Sequence, residues 1–227
     1  MSVAGTIADR KDPAAAPRAT VRQEQILSIA SGLFAKSHFE ATSMRDIAAA
    51  AQMTPAALYY HFASKEALFV AVHAESIRRI SEAVRTAVRH ETDPWARVRA
   101  AAVAHLETML NEEEFSVFLA PLLPQSLDPA TLEELVAQRD SYVSLVDELL
   151  APLPLAPGIH RNVFRLHFLS ALNGTAFWYH AGAGLTPAEL ALQLCAMIEL
   201  PHKSAAHKAR ANVVTKGEET QPWEYRD

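Results

Sequence analysis

The side chains between Ser43 and Lys65 are of the types that bind nucleic acids. This stretch contains hydroxyl groups, Arg45, two tyrosines, a histidine and a lysine. Hydroxyls, lysine and the free backbone amides at the start of a helix suit contacts to phosphate. An arginine can also read the edge of a guanine through two hydrogen bonds. The chemistry of the stretch therefore points to nucleic acid.

Two short helices joined by a tight turn are predicted to position these side chains. Ser43 and Asp46 form a capping-box-like helix start, and Thr54 followed by Pro55 is a second start with proline in the first helical position. Such a unit can place its second helix in the major groove while the first braces it across the backbone. The spacing alone is equally typical of an ordinary helical hairpin. The apolar residues expected to fix the angle between the two helices are Ile47, Ala48, Ala51 and Leu58.

The composition favours an all-α fold of about nine helices. Half of the 227 residues are hydrophobic, only seven are glycine, and Ala/Leu/Glu/Arg-rich stretches recur. Such residues favour helices over strands. Prolines and Gly182 separate the later segments. The predicted helices lie at about 21–35, 44–51, 55–62, 64–90, 95–111, 112–123, 128–151, 159–181 and 187–199.

The charge is divided unevenly along the chain. The formal net charge is -5, yet residues 1–80 hold nine Lys/Arg against seven Asp/Glu and residues 81–227 hold twelve against nineteen. The acidic excess therefore lies outside the segment that would contact nucleic acid. The pattern predicts a flexible arm over 1–19, a small domain over 20–80, a larger domain over 81–200 and a mobile tail over 201–227.

Residues 41–69, ATSMRDIAAAAQMTPAALYYHFASKEALF, closely resemble the DNA-binding domain of TetR-family regulators. The resemblance covers roughly residues 20–80, and LYYHF followed by SKEAL is its most specific part. It implies an N-terminal three-helix domain with its helix-turn-helix at 43–62, a larger helical sensor domain, and a ligand-released repressor bound to a palindromic operator. Because Gln52 stands where the family usually has glycine, we expect it to adopt a positive φ.

The resemblance also implies how individual side chains meet DNA. Phosphate-contacting positions, which orient the protein without reading sequence, are Thr42, Ser43, Tyr60, His61 and Lys65. Positions facing base edges are Arg45, Thr54, Pro55, Ala56, Ala57 and Tyr59. Because Ala56 and Ala57 offer only methyl contacts to thymine, Arg45, the tyrosines or DNA shape must carry the specificity. Alternatively, the tyrosines and His61 pack against neighbouring helices and Arg45 pairs with a carboxylate.

The segment Val163 to Trp178 is apolar nearly all round, which predicts that both faces of its helix are covered. Together with PAELALQLCAMIEL at 187–200, it suggests a helix pair that forms a four-helix bundle with a second copy, as in the family. The homodimer is therefore expected to form through helices at about 159–181 and 187–199. A buried helix within a monomer is the alternative.

Two stretches, 139–150 and 169–191, resemble the sensor domain of a TetR subgroup that controls acyl-CoA, fatty-acid or steroid breakdown. An acyl-CoA or another lipid-like metabolite is therefore the expected effector. Most pocket candidates are apolar residues at helical spacing, which is equally typical of core. They are Leu106, Met109, Leu110, Phe115, Phe118, Leu119, Tyr142, Asn173, Phe177 and Trp178.

Other classes of protein find less support in the sequence. HExxH, CxxC, GxSxG, P-loop and GxGxxG motifs are absent, so neither catalysis, a metal site nor a cofactor is expected. The charged start and the interrupted apolar segments predict a cytoplasmic protein without a membrane span. The alternatives left open are a transcriptional activator, a repressor of an efflux system that senses a hydrophobic drug, and a helical interaction module that binds no DNA.

Overall fold

The chain folds into α-helices, as its composition predicts. The computed structural model describes residues 21–111, 124, 126–180, 182 and 184–199, and no strand occurs among them. The helix predicted at 112–123 lies outside the described residues, as do the predicted arm and tail. Residues 175–177 add a 3₁₀ turn. The helices are α1 (Val21–Ala41), α2 (Met44–Ala50), α3 (Pro55–His61), α4 (Lys65–Val88), α5 (Pro94–Asn111), α6 (Pro129–Leu150), α7 (Arg161–Gly174) and α8 (Pro187–Ile198).

The starts of α2 and α3 are fixed by the capping residues that the sequence predicts. The Ser43 hydroxyl accepts a hydrogen bond from the Asp46 backbone N–H, and the Asp46 carboxylate accepts one from the Ser43 N–H. The Ser43 hydroxyl also donates to the Asp46 carboxylate, and this bond, together with that from the Ser43 N–H, lowers the pKa of Asp46. At α3, the Thr54 hydroxyl accepts from the Ala57 N–H, and Pro55 occupies the first turn, where no N–H is missed. The start of each short helix is therefore determined by capping within its own first turn.

The core consists of two clusters. The first, around Ile26, Phe34 and Leu58, joins α1, α2 and α3 to the start of α4. The second, around Ile80, Leu106 and other aliphatic residues, joins the rest of α4 to α5, α7 and α8. Helices α4 and α6 contribute buried residues to both clusters. These two helices therefore connect the small N-terminal unit to the larger C-terminal one.

Helix α1 is longer than its apolar periodicity predicts. It was expected to end at Ala35, whereas it continues to Ala41 across His38, which has φ 62° and ψ 162°. The bend brings the ring of Phe39 to 5.7 Å from that of Phe34 and 4.9 Å from that of Phe69. Aromatic pairs at these separations add to the stabilisation from burial. This tertiary packing explains why the helix runs on past the end of its amphipathic pattern.

Candidate nucleic-acid interface and sensor site

The turn between α2 and α3 is closed by backbone hydrogen bonds. The Met53 N–H donates to the Ala48 carbonyl at 2.9 Å, and Gln52 has φ 53°, which confirms the expected positive φ. The Arg22 guanidinium of α1 donates to the Ala51 carbonyl at 2.9 Å, a contact that the sequence did not reveal. The four apolar residues predicted to set the angle between α2 and α3 are buried: Ile47, Ala48, Ala51 and Leu58.

The outer face of this unit carries most of the residues expected to meet DNA. The side chains of Tyr59 and Tyr60 are 51% and 88% exposed. Tyr60 lies edge-on to His61, with ring centroids 5.6 Å apart, and His61 is half-buried. Ala57 is half-buried as well, and the other exposed members of the set are Ser43, Arg45, Thr54, Pro55 and Ala56. The exposed N-terminus of α3 therefore carries small side chains, and the two tyrosines follow about one turn later in the same helix.

Two of the expected phosphate contacts are turned towards the bent end of α1. Thr42 is only 3% exposed, and its hydroxyl donates to the His38 carbonyl at 2.8 Å. The Lys65 ammonium donates to the Phe39 carbonyl at 2.9 Å and lies 4.2 Å from the centroid of the Phe39 ring. In this conformation, a phosphate contact by either side chain requires these bonds to open.

The expected pocket residues lie in several different environments. Leu106, Met109 and Tyr142 are buried in the C-terminal cluster, and Leu110 packs against it. Asn173 is half-buried, whereas Phe177 and Trp178 are exposed. Phe115, Phe118 and Leu119 lie outside the described residues.

Two surface cavities occur elsewhere on the larger unit. One, of about 380 Å³, lies between α4, α5 and α8 beside Arg99 and Val103. The other, of about 170 Å³, lies beside Trp95 and Phe164. Neither of these two cavities is lined by any of the ten expected pocket residues.

A buried polar group joins three helices at the centre of the larger unit. The Nδ1 atom of His105 lies 2.7 Å from the Tyr142 hydroxyl, and its Nε2 atom lies 3.0 Å from Oδ1 of Asn173. Burial lowers the pKa of His105 to about 4, so the imidazole is neutral at pH 7. The sequence indicated Tyr142 and Asn173 but missed His105. The feature that could have indicated His105 is its position as a single histidine within the mainly apolar sequence of α5.

The buried neutral His105 is expected to make the protein less stable in acid. Its folded pKa of about 4 lies below the value of 6.5 for an unperturbed histidine, so the unfolded chain binds more protons between these values. The contribution of neutral His105 to the free energy of unfolding is complete above about pH 6.5 and is lost as the pH falls towards 4. The loss amounts to about 3 kcal/mol.

The test is the free energy of unfolding of wild type and His105→Gln, measured by urea denaturation from pH 7 to pH 4. The wild-type value should fall more steeply. The matched control is His90→Gln, since His90 is exposed. If His105→Gln and wild type lose the same free energy, His105 does not stay neutral in the folded protein.

The outer faces of α7 and α8 carry exposed apolar side chains. On α7 these include Val163 and Leu166, and Phe177 and Trp178 follow just after it. Met197 is exposed on α8. A single copy of the chain therefore leaves one face of α7 uncovered.

Neither a metal site nor a membrane span is visible in the described part of the chain. It contains no group of three or more His, Cys, Asp or Glu side chains that could hold a metal ion. Within the same residues, no helix is both long and apolar enough to cross a membrane.

Comparisons with known proteins agree with this arrangement. Residues 26–72 match the family model described as bacterial regulatory proteins, tetR family. Residues 91–199 match the model of a tetracyclin repressor-like C-terminal domain. The HTH-type transcriptional activator FasR of Mycolicibacterium smegmatis is 33% identical over 93 residues. That match spans 41% of this chain and only 42% of the length of FasR.

Solved structures share the fold over most of the chain. AibR, solved in complex with isovaleryl coenzyme A and operator DNA, has a TM-score of 0.69 at 26% identity and covers 78% of this chain and 97% of its own. The fatty acid degradation regulator FadR from Bacillus halodurans has a TM-score of 0.71 at 17% identity, with coverages of 82% and 100%. Because FadR is only 17% identical to this chain, its similarity shows a shared fold and nothing more.

Proposed function

Because the chain belongs to the TetR family of bacterial DNA-binding transcriptional regulators, we propose that it is a homodimeric repressor released from a palindromic operator by an acyl-CoA-like metabolite. It is not an enzyme; its family regulates transcription. The observation that carries the proposal is the exposed start of α3, held against α2 by a buried apolar contact. As a repressor, it acts in the cytoplasm, where bacterial DNA lies.

In the proposed complex, the N-terminus of α3 enters the major groove. Thr54, Pro55, Ala56, Ala57 and Tyr59 then face base edges, because they occupy the first turns of that helix. Ser43, Tyr60 and His61 contact phosphates on either side, and Lys65 joins them once its bond to Phe39 opens. Thr42 orients the end of α1 from its buried position.

Arg45 is proposed to read one guanine in each half-site. Its exposed position at the start of α2 leaves the guanidinium able to bond O6 and N7 of a guanine. Arg45→Ala is expected to lose discrimination at one base pair of each half-site by about 1–3 kcal/mol, a factor of about 5 to 150. Binding should be compared by fluorescence anisotropy across operators substituted at single positions.

The matched control for Arg45 is Arg139→Ala, which removes an exposed arginine from α6. It should leave the sequence preference unchanged. If Arg45→Ala weakens binding equally to every operator variant, Arg45 is a phosphate contact and not a reader of bases.

The proposed homodimer forms through α7 and α8. Its support is the set of exposed apolar side chains on their outer faces, which a second copy can cover. In the proposed dimer the two copies of α3 are related by a two-fold axis. Their two-fold relation matches a palindromic operator.

An acyl-CoA-like effector is supported by AibR, which was solved with isovaleryl coenzyme A. A repressing role is supported by the match to a tetracyclin repressor-like C-terminal domain. FasR is an activator, and this favours activation as the second candidate. Control of efflux by a hydrophobic drug remains the third, because an apolar sensor core suits such a ligand as well.

We propose that the effector signal travels through α6 together with α4. Leu135 of α6 is buried with the N-terminal cluster, whereas Tyr142 and Leu149 of the same helix are buried in the C-terminal one. At the boundary, Nδ1 of His73 on α4 lies 2.7 Å from Oε1 of Gln138 on α6. In this proposal, a small shift of α6 in the sensor core reaches both α4 and the N-terminal cluster, to which Leu58 of α3 also belongs. A coupling of about 1–3 kcal/mol suffices to change operator occupancy.

A gel shift on the DNA upstream of the gene tests the proposed function. We expect a palindromic fragment to bind specifically, with an affinity that falls steeply as salt rises. Isovaleryl-CoA, stearoyl-CoA and a panel of hydrophobic drugs should then be titrated into the complex. Release by an acyl-CoA supports the proposal, release by a drug alone overturns the effector class, and non-specific binding alone overturns the operator. A reporter gene whose transcription rises when the protein is supplied would overturn repression.

A further inference from the structure

The polar group His105–Tyr142–Asn173 forms a directional chain of hydrogen bonds. A neutral imidazole carries one N–H. Because Nε2 faces the amide oxygen of Asn173, that nitrogen holds the hydrogen and donates it. Nδ1 then accepts from the Tyr142 hydroxyl. The chain of bonds runs from α6 through α5 to α7 and fixes the orientation of the Asn173 amide.

At Asn173, where this series of hydrogen bonds ends, two hydrogen-bond donors remain unused. With its oxygen bound to His105, Asn173 has two amide hydrogens left, and they have no partner within the described residues. Unlike His105 and Tyr142, Asn173 is only half-buried, so its side chain is partly accessible. A fixed donor at the edge of an apolar core is suited to bind an acceptor atom of a ligand.

The surroundings favour a neutral acceptor over a carboxylate. The polar side chains that meet Asn173 are His105 directly and Tyr142 through it, and neither is a cation. An ionised carboxylate placed here would lack a compensating charge, which is costly in an apolar core. The carbonyl oxygen of an ester, a thioester or an amide has no such cost.

We propose that Asn173 anchors the effector by donating its side-chain amide to the carbonyl oxygen of an acyl group, while His105 and Tyr142 are positioning residues that hold the amide in place. This inference rests on the proposed function, since it takes the effector to be an acyl compound. It assigns the recognition of the acyl carbonyl to one residue. Tyr142, which positions the anchor through His105, lies one helical turn from Gln138, on the face of α6 that also reaches α4.

The test compares ligands that differ only in the carbonyl. The dissociation constants of isovaleryl-CoA and stearoyl-CoA should be measured by calorimetry beside those of the isopentyl and octadecyl thioethers of CoA. We expect the wild-type protein to bind a thioester about 3- to 10-fold more tightly than its thioether. In Asn173→Ala and Asn173→Asp, the thioester should bind no better than the thioether, while the affinity for the thioether changes little.

The control is Gln25→Glu, which makes the same amide-to-carboxylate change on an exposed residue of α1, in the N-terminal unit, and should keep the wild-type preference. Thermal unfolding reports whether each variant is folded. A wild-type protein without preference, a variant of Asn173 that keeps the preference, or a folded variant of Asn173 that binds neither ligand overturns the role of this residue. If the wild-type protein binds its operator but none of the four CoA compounds, the proposed effector class fails and the anchor fails with it.

Discussion

Ala56→Asp is expected to lose at least about 100-fold in operator affinity while folding as stably as the wild-type chain. Ala56 is exposed in the first turn of α3, directly after Pro55. A carboxylate there interacts favourably with the helix dipole and contributes about 0.3–1 kcal/mol to stability. In the proposed complex the same carboxylate faces the bases and lies near the phosphates. Like charges brought together at an interface cost several kcal/mol.

The first turn of α6 offers a matched control. Ala130 is also exposed, follows a proline and occupies the same position in its helix. Ala130→Asp adds the same charge to the protein but lies outside the proposed DNA interface. Operator affinity from anisotropy and stability from thermal unfolding should be measured for both variants. Equal losses of affinity would mean that net charge weakens binding and that α3 does not enter the groove.

Local signals were sufficient to predict where α2 and α3 begin. Ser43, Thr54 and Pro55 act within three residues of their own positions, since each satisfies or avoids a free backbone N–H of its own helix. The positive φ of Gln52 was expected from the family resemblance, since glycine usually stands at this position of the turn. The two helix starts depend little on the rest of the fold, so the sequence alone could predict them.

Features that depend on distant contacts were missed. The left-handed conformation of His38 serves the packing of Phe39 against Phe69, which comes from α4. In the same way, His105 meets Tyr142 and Asn173, residues that lie 37 and 68 positions further along the chain. Such pairs have no fixed spacing, so periodicity cannot reveal them. They appear only when the helices have been packed together.

The spacing of apolar residues also did not distinguish residues that line a ligand pocket from residues of the hydrophobic core. Leu106 and Met109 recur at the spacing of a buried helical face, and both lie in the C-terminal cluster. A leucine that lines a ligand and one that packs against a neighbouring helix lose the same water-exposed area on burial. Polar residues on the same face are more informative, because each needs a partner when it is buried. This is why Asn173 and Tyr142 carry more of the functional argument than the apolar candidates.

Leu166→Glu is expected to convert the protein to a monomer and to lower its operator affinity by about 100- to 10⁴-fold. Leu166 is 59% exposed on α7, beside the equally exposed Val163. In the proposed dimer it meets its counterpart near the two-fold axis, so a pair of carboxylates would be buried together. Each monomer would keep its α3 but bind a single half-site, without the gain in effective concentration that the second half-site provides.

The control is Thr86→Glu, which adds the same charge at an exposed position on α4. Mass from light scattering and operator affinity should be measured on the same samples. Because Leu166 is already exposed in one copy of the chain, its replacement removes no contact from the monomer's core, and the helix content should match wild type. A Leu166→Glu protein that remains dimeric would rule out this face of α7 as the dimer contact. A monomer that binds the full operator as tightly as wild type would show that the two half-sites are not bound together.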